Sequence, residues 1–89
     1  MSQHPQLAEI GKRIRRVRKA KGLSQDLFAI DIGMARSYYG GVERGERNLS
    51  TLKLVQIALA LGVEVGALFP DAKDLRRLGK QAATSLPIS

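Results

Sequence analysis

The stretch from Gly22 to Asn48 is punctuated by glycines that leave this chain few ways to fold. Ser24 is a good N-cap, because its hydroxyl can accept a backbone N–H of the first helical turn. Leu27, Phe28, Ala29 and Ile30 then supply the apolar surface of a two-turn helix, over about 24–32. At Gly33 the chain must leave that helix through a left-handed residue, a conformation glycine adopts without a Cβ clash. A second short helix follows, over about 35–44, and ends at Gly45. No strand alternation and no internal repeat competes with this pattern. The spacing predicts an all-α fold.

Around the pair, Leu7, Ile10, Ile14 and Val17 recur at the i, i+3, i+4 spacing of an amphipathic helix. That helix is expected to run from Leu7 to Gly22, with Leu23 turning back onto the core. After a loop from Gly45 to Leu49, Ser50 caps a fourth helix that reaches Leu61 and is closed by Gly62. A short fifth helix from near Glu64 carries Val65, Leu68 and Phe69 to Pro70. The plan is an N-terminal arm (1–6), one five-helix domain (7–69) and a C-terminal tail (70–89). In the tail, Asp71 can cap a short helix with Leu75 and Leu78 on one face, and the last residues have little reason to order alone.

Eighty-nine residues suffice for one small core. With no cysteine, neither a disulfide nor a thiolate metal site can hold it. The lone His4, beside Pro5 in the arm, has no co-ligands to close a metal site. No apolar run approaches the length of a membrane span, and the first residues lack the regions of a signal peptide, so a cytoplasmic protein is expected. The formal net charge is +7, unevenly spread. Seven of the fifteen Lys and Arg (12, 13, 15, 16, 18, 19 and 21) stand between residues 12 and 21 with no acid among them. Such like charges repel along a helix, and a polyanion would relieve the repulsion and release counterions on binding.

Helix, glycine turn and helix on a basic chain outline a DNA-reading helix-turn-helix. Residues 10–69 resemble the Cro/repressor-type (XRE-like) helix-turn-helix family. The matching pieces are Ile10-Gly11-Lys12-Arg13-Ile14-Arg15, Arg18-Lys19, Lys21-Gly22-Leu23-Ser24-Gln25, Arg36-Ser37-Tyr38, Val42-Glu43-Arg44-Gly45-Glu46-Arg47-Asn48, and Ile57-Ala58 through Ala60-Leu61-Gly62-Val63 to Leu68-Phe69. Within the family, the run from Gly40 to Leu49 is most similar to small stand-alone regulators, among them the controller proteins of restriction–modification systems.

The resemblance implies that the helix over 35–44 enters the major groove and that base-reading positions match Arg36, Ser37, Gly40 and Gly41, with Tyr38 beside the DNA backbone. Arg36 can offer a bidentate fork to guanine O6 and N7. Ser37 is less selective. Tyr38 can bond a phosphate, pack on a thymine methyl, or pack between helices. Gly40-Gly41 depart from the family's polar side chains: either the bare backbone sits deeper in the groove, which the outward face of this helix favours, or another element packs against it. Ala35, where Ser or Thr usually caps, and Tyr39, where an aliphatic core residue is usual, depart as well.

Backbone contacts are expected from Ser24, Gln25, Arg44, Arg47 and Asn48, with Asn48 alternatively only capping its loop. Gln25 sits at a helix start, whose partial positive charge favours a phosphate. The resemblance pairs Arg18 with Glu43 in a partly buried structural ion pair. It also implies a dimer, with Leu52, Leu59, Val65 and Leu68 as candidate interface residues, Leu68 serving the monomer core equally well. Leu27 and Ile30 look more apolar than their helix needs.

The expected function is a sequence-specific regulator of transcription. It would bind double-stranded DNA as a homodimer on two half-sites, with no metal, cofactor, membrane or small-molecule ligand. An antitoxin of a toxin–antitoxin pair, using residues 70–89 to bind its partner, is the alternative. Nothing resembles a catalytic set, and no aromatic stacking platform suggests RNA.

Overall fold

The structure, a computed structural model, describes residues 4–71, 73, 74, 76 and 77. Four α-helices follow one another: α1 (Pro5–Ala20), α2 (Gln25–Asp31), α3 (Arg36–Glu43) and α4 (Thr51–Leu61). A 3₁₀ turn, Val65–Leu68, follows α4. Within residues 7–69 the five-helix expectation is thus corrected to four α-helices and one 3₁₀ turn. Glu64 is still extended, and Phe69, the residue before Pro70, is extended again, so only four residues are left to turn and they close as a 3₁₀ turn. Among the described residues there is no strand, and no helix is long and apolar enough to cross a membrane.

α1 begins earlier than its apolar spacing suggests. Pro5 occupies the first turn, where its missing N–H would have had no helical partner. The carbonyl of His4 takes the N–H groups of Leu7 and Ala8, so Pro5 and Gln6 belong to the helix and not to an arm. At the other end of the chain, residues 73, 74, 76 and 77 are helical, and Asp71 Oδ1 accepts the N–H of Asp74 at 2.8 Å. Asp74 in turn lies 3.7 Å from Arg13 of α1. Leu75 and Leu78, the expected shared face, lie outside the described residues.

The caps explain why the short helices form. Ser24 Oγ accepts the N–H of Leu27 at 3.0 Å and Ser50 Oγ that of Lys53 at 3.2 Å, each satisfying one orphan donor of its helix. α3 lacks such help, since Ala35 offers no side-chain cap. Gly33 takes φ +71° between α2 and α3, the left-handed residue this turn needs.

The core joins Ile10 and Ile14 of α1, Phe28 and Ala29 of α2, Tyr39 and Val42 of α3, Leu54, Ile57, Ala58 and Leu61 of α4, and Leu68 of the 3₁₀ turn. The Phe28 and Tyr39 rings meet edge to face at 5.4 Å, a favoured aromatic geometry. Leu23 does not fold back onto the core; it stays exposed, and its carbonyl receives Arg18 Nη1 at 2.6 Å.

α1 crosses α3 with almost no space between backbones. A Cβ on Gly11 would lie 2.5 Å from the carbonyl oxygens of both Val42 and Glu43. Just beyond α3, a Cβ on Gly45 would lie 2.5 Å from Ala8 Cα. These two glycines let α3 seat against α1, and that contact sets the angle at which α3 leaves the body.

Candidate nucleic-acid interface

α3 is built as a projecting helix anchored at its far end. Its last residue, Glu43, is buried, and its carboxylate collects four donors. Arg18 approaches side-on, with Nε 2.6 Å from Oε2 and Nη2 3.1 Å from Oε1. Tyr39 donates its hydroxyl to Oε2 at 2.5 Å, and Gln25 its Nε2 to Oε1 at 2.9 Å. Burial alone pushes the Glu43 carboxyl up, but the bonds from Arg18, Tyr39 and Gln25 outweigh it and hold the group below the usual carboxylate range. Burial and the bond to Glu43 push the Tyr39 phenol well above its ordinary value. The Arg18 guanidinium is held above its usual value by its bond to Glu43 and stays charged. Tyr39, where an aliphatic core residue is usual, is the residue that adds a hydroxyl donor to this network.

From that anchor the head of α3 reaches solvent. Arg36 has 65% of its side chain exposed, and Ser37 is exposed beside it. Arg36 Nη1 lies 3.6 Å from Asp26 on α2, an exposed pair worth little to stability. Tyr38 is half-buried. Its hydroxyl is turned to the carbonyl of Asn48 at 3.4 Å, and its ring lies under Lys53 Nζ at 4.1 Å and beside the Arg47 guanidinium at 5.9 Å. Tyr38 therefore ties α3 to the α3–α4 loop and to α4.

Gly40 and Gly41 are not bare. Both are covered, and a Cβ on Gly40 would meet Arg44 Nη1 at 3.1 Å and Gln25 Oε1 at 3.6 Å. One on Gly41 would meet Arg47 Cγ at 2.8 Å. The expectation that bare backbone here lets α3 sink into a groove is corrected: side chains from Arg44, Arg47 and Gln25 fill the space that the glycines leave.

The expected phosphate ligands flank α3 along the chain, Ser24 and Gln25 at the start of α2 and Arg44, Arg47 and Asn48 just after α3. Ser24 spends its oxygen as a cap acceptor and keeps an O–H donor. Gln25 has given one amide N–H to Glu43 and keeps the other. Arg44, Arg47 and Asn48 are exposed, and Arg44 Nε lies 3.0 Å from Glu46 Oε1.

Lys53, whose ammonium lies over the Tyr38 ring, is a cation beside α3 that sequence reasoning did not single out. It stands in the first turn of α4, where a capping box would place an acid and where a cation opposes the helix dipole. A lysine chosen against that preference was the available signal.

On the remaining surface, Leu52 is 76% exposed and Leu59 75%, both on α4. Val65 is half-buried against the core. Leu68 has no exposed surface at all, so it leaves the candidate interface set and belongs to the monomer core.

Comparison with known protein families matches residues 14–68 to HTH_3, described as helix-turn-helix. The chain is similar to the control protein C.MunI of a Mycoplasma species, with 40% identity over 62 residues, 68% of this chain and 84% of that protein. Among solved structures it is similar to the restriction-modification controller protein C.AhdI of Aeromonas hydrophila. There the TM-score is 0.68 and the identity 49%, over 71% of this chain and 96% of that one. The biofilm master regulator SinR, solved in complex with DNA, superposes with TM-score 0.63 at 38% identity, over 66% of this chain and 95% of that one. An anchored and projecting α3, the glycine turn before it and these likenesses agree, and the chain belongs to the HTH_3 helix-turn-helix family of XRE-type, DNA-binding transcriptional regulators.

Proposed function

We propose that this protein binds a specific double-stranded DNA operator as a homodimer and regulates transcription in the manner of a controller protein. α3 of each subunit enters the major groove of one half-site. The observation that carries the reading is the polarity of α3. Its C-terminal end is locked into the body through Glu43, while Arg36 and Ser37 at its N-terminal end stand exposed. Ser24 and Gln25 on one side and Arg47, Asn48 and Lys53 on the other supply the donors that would hold the flanking phosphates and fix the register.

Dimerisation is supported by Leu52 and Leu59, seven residues apart and each about three-quarters exposed on α4. Apolar side chains so placed on a small basic protein call for a partner surface. A two-fold pair would bring two recognition helices to half-sites about one helical turn, ~34 Å, apart.

The test is selection of bound DNA from a random pool, followed by sedimentation of the protein on the selected site. A palindromic consensus bound by two chains is expected. Arg36→Ala should then weaken the selected site by about 1–3 kcal/mol and leave random DNA almost untouched. A pool that stays random after repeated rounds would remove sequence-specific regulation from the reading.

A further inference from the structure

Arg36, Gly40 and Arg44 follow one another at i, i+4 spacing along a single line of α3 and its C-cap. Helical side chains lean toward the N-terminus, so Arg44 lies back over the preceding turn and puts Nη1 3.1 Å from where a Cβ of Gly40 would be. Its Nε is taken by Glu46 Oε1 at 3.0 Å, and 58% of the side chain stays exposed.

We propose that Arg44 is a specificity-determining residue that reads a guanine, with Glu46 as its positioning partner and Gly40 as the bed on which it lies. The proposal rests on α3 being the helix in the major groove.

Three observations point to a base and away from a phosphate. An arginine meant only for phosphate gains nothing from a carboxylate at 3.0 Å, which cancels much of its charge and repels the ligand. A guanine edge is neutral and directional: O6 and N7 accept two parallel N–H bonds, and the fork that makes them gains from being held in one orientation. Glu46 binds the guanidinium through Nε and leaves Nη1 and Nη2 as that fork. The glycine inside α3 also finds its reason. A Cβ at position 40 would press on Arg44 Nη1 and make the guanidinium give by a few tenths of an ångström, and a longer side chain would compete for the same space, so the base-reading group missing from position 40 is supplied from position 44.

Selecting DNA with the parent, Arg36→Ala, Arg44→Ala, Gly40→Ala and Glu46→Gln tests this, with affinities measured on the selected site and on random DNA. Arg44→Ala should erase a guanine preference distinct from the one that Arg36→Ala erases. It should weaken the selected site roughly 5- to 100-fold, the range of one bidentate base contact, and random DNA less than about 3-fold. Gly40→Ala should blur the same guanine while Arg44 remains present. Glu46→Gln should blur it too while tightening random-DNA binding, because a negative charge is gone. The proposal is overturned if Arg44→Ala weakens both DNAs equally with an unchanged consensus, which would make Arg44 a phosphate contact. It is overturned as well if the loss at Arg44 leaves every guanine in place. Should the parent select no consensus, or Arg36→Ala select the parent's consensus unchanged, the reading of α3 as the recognition helix falls, and Arg44 with it.

Discussion

Arg18 and Glu43, 25 residues apart, meet through two parallel bonds, Nε to Oε2 at 2.6 Å and Nη2 to Oε1 at 3.1 Å, and so fasten α3 to α1. Both side chains are almost wholly buried. The pair therefore holds the projecting helix at one angle, and it does so only while every donor around it is matched.

Glu43→Ala would strand the Arg18 guanidinium in the interior and leave the Tyr39 hydroxyl without its acceptor. A loss on the order of 3–5 kcal/mol is expected, read as a shift in the urea midpoint. Arg18→Met with Glu43→Leu should not repair this, because Tyr39 would still bury an unpaired hydroxyl. Adding Tyr39→Phe should recover much of the loss. If Glu43→Ala unfolds at the parent's midpoint, the locking role is wrong.

The same network sets an acid limit. Glu43 titrates below its unfolded value of ~4.3, so its stabilising contribution is complete above that pH. It disappears as pH falls through the depressed folded value. Tyr39, raised in the fold, acts at the other limit and resists ionising in alkali. Thermal unfolding followed from pH 7 down to about 2 should drop on the acid side for the parent, and less steeply for Glu43→Gln from its lower starting point. Parallel acid slopes in the two proteins would show that Glu43 carries no folding-linked proton.

Much of this fold is legible in residue order alone, and the exceptions share a cause. Ser24, Gly33, Ser50 and Gly62 act locally, through caps and left-handed backbone, and local chemistry is written where it acts. Gly11 is different. Its role depends on the carbonyls of Val42 and Glu43, more than thirty residues away, and nothing near it announces them. The covering of Gly40 by Arg44 and the packing of Lys53 on Tyr38 are likewise tertiary. Leu68 was ambiguous because an apolar residue at a domain's end suits a core or an interface, and only its full burial separates them.

Gly11→Ala provides the test of that crossing. Helix propensity favours alanine by about 1 kcal/mol, yet its Cβ would lie 2.5 Å from two backbone oxygens that cannot move independently. Overpacking should win, with net destabilisation of roughly 1–3 kcal/mol in chemical unfolding. A more stable variant would mean that α1 and α3 can separate without cost.

Lys53 should show itself through salt. If it neutralises a phosphate, Lys53→Ala flattens the plot of log affinity against log salt by about one unit per subunit. It should do so equally on the selected operator and on random DNA, and circular dichroism should report an intact fold. An unchanged slope would leave Lys53 as only a partner for the Tyr38 ring.

Leu59 and Leu68 separate a partner surface from the monomer core. Leu59 is three-quarters exposed, so Leu59→Glu costs the isolated fold little. At a dimer surface the charge would yield a folded monomer that has lost high-affinity binding to two half-sites but retains weak half-site binding. Leu68 is fully buried, and Leu68→Glu should unfold the chain and abolish both. Sedimentation and circular dichroism on the two variants read these outcomes directly. A folded Leu59→Glu protein that remains dimeric, with Leu52→Glu behaving alike, would place the interface away from the outer face of α4.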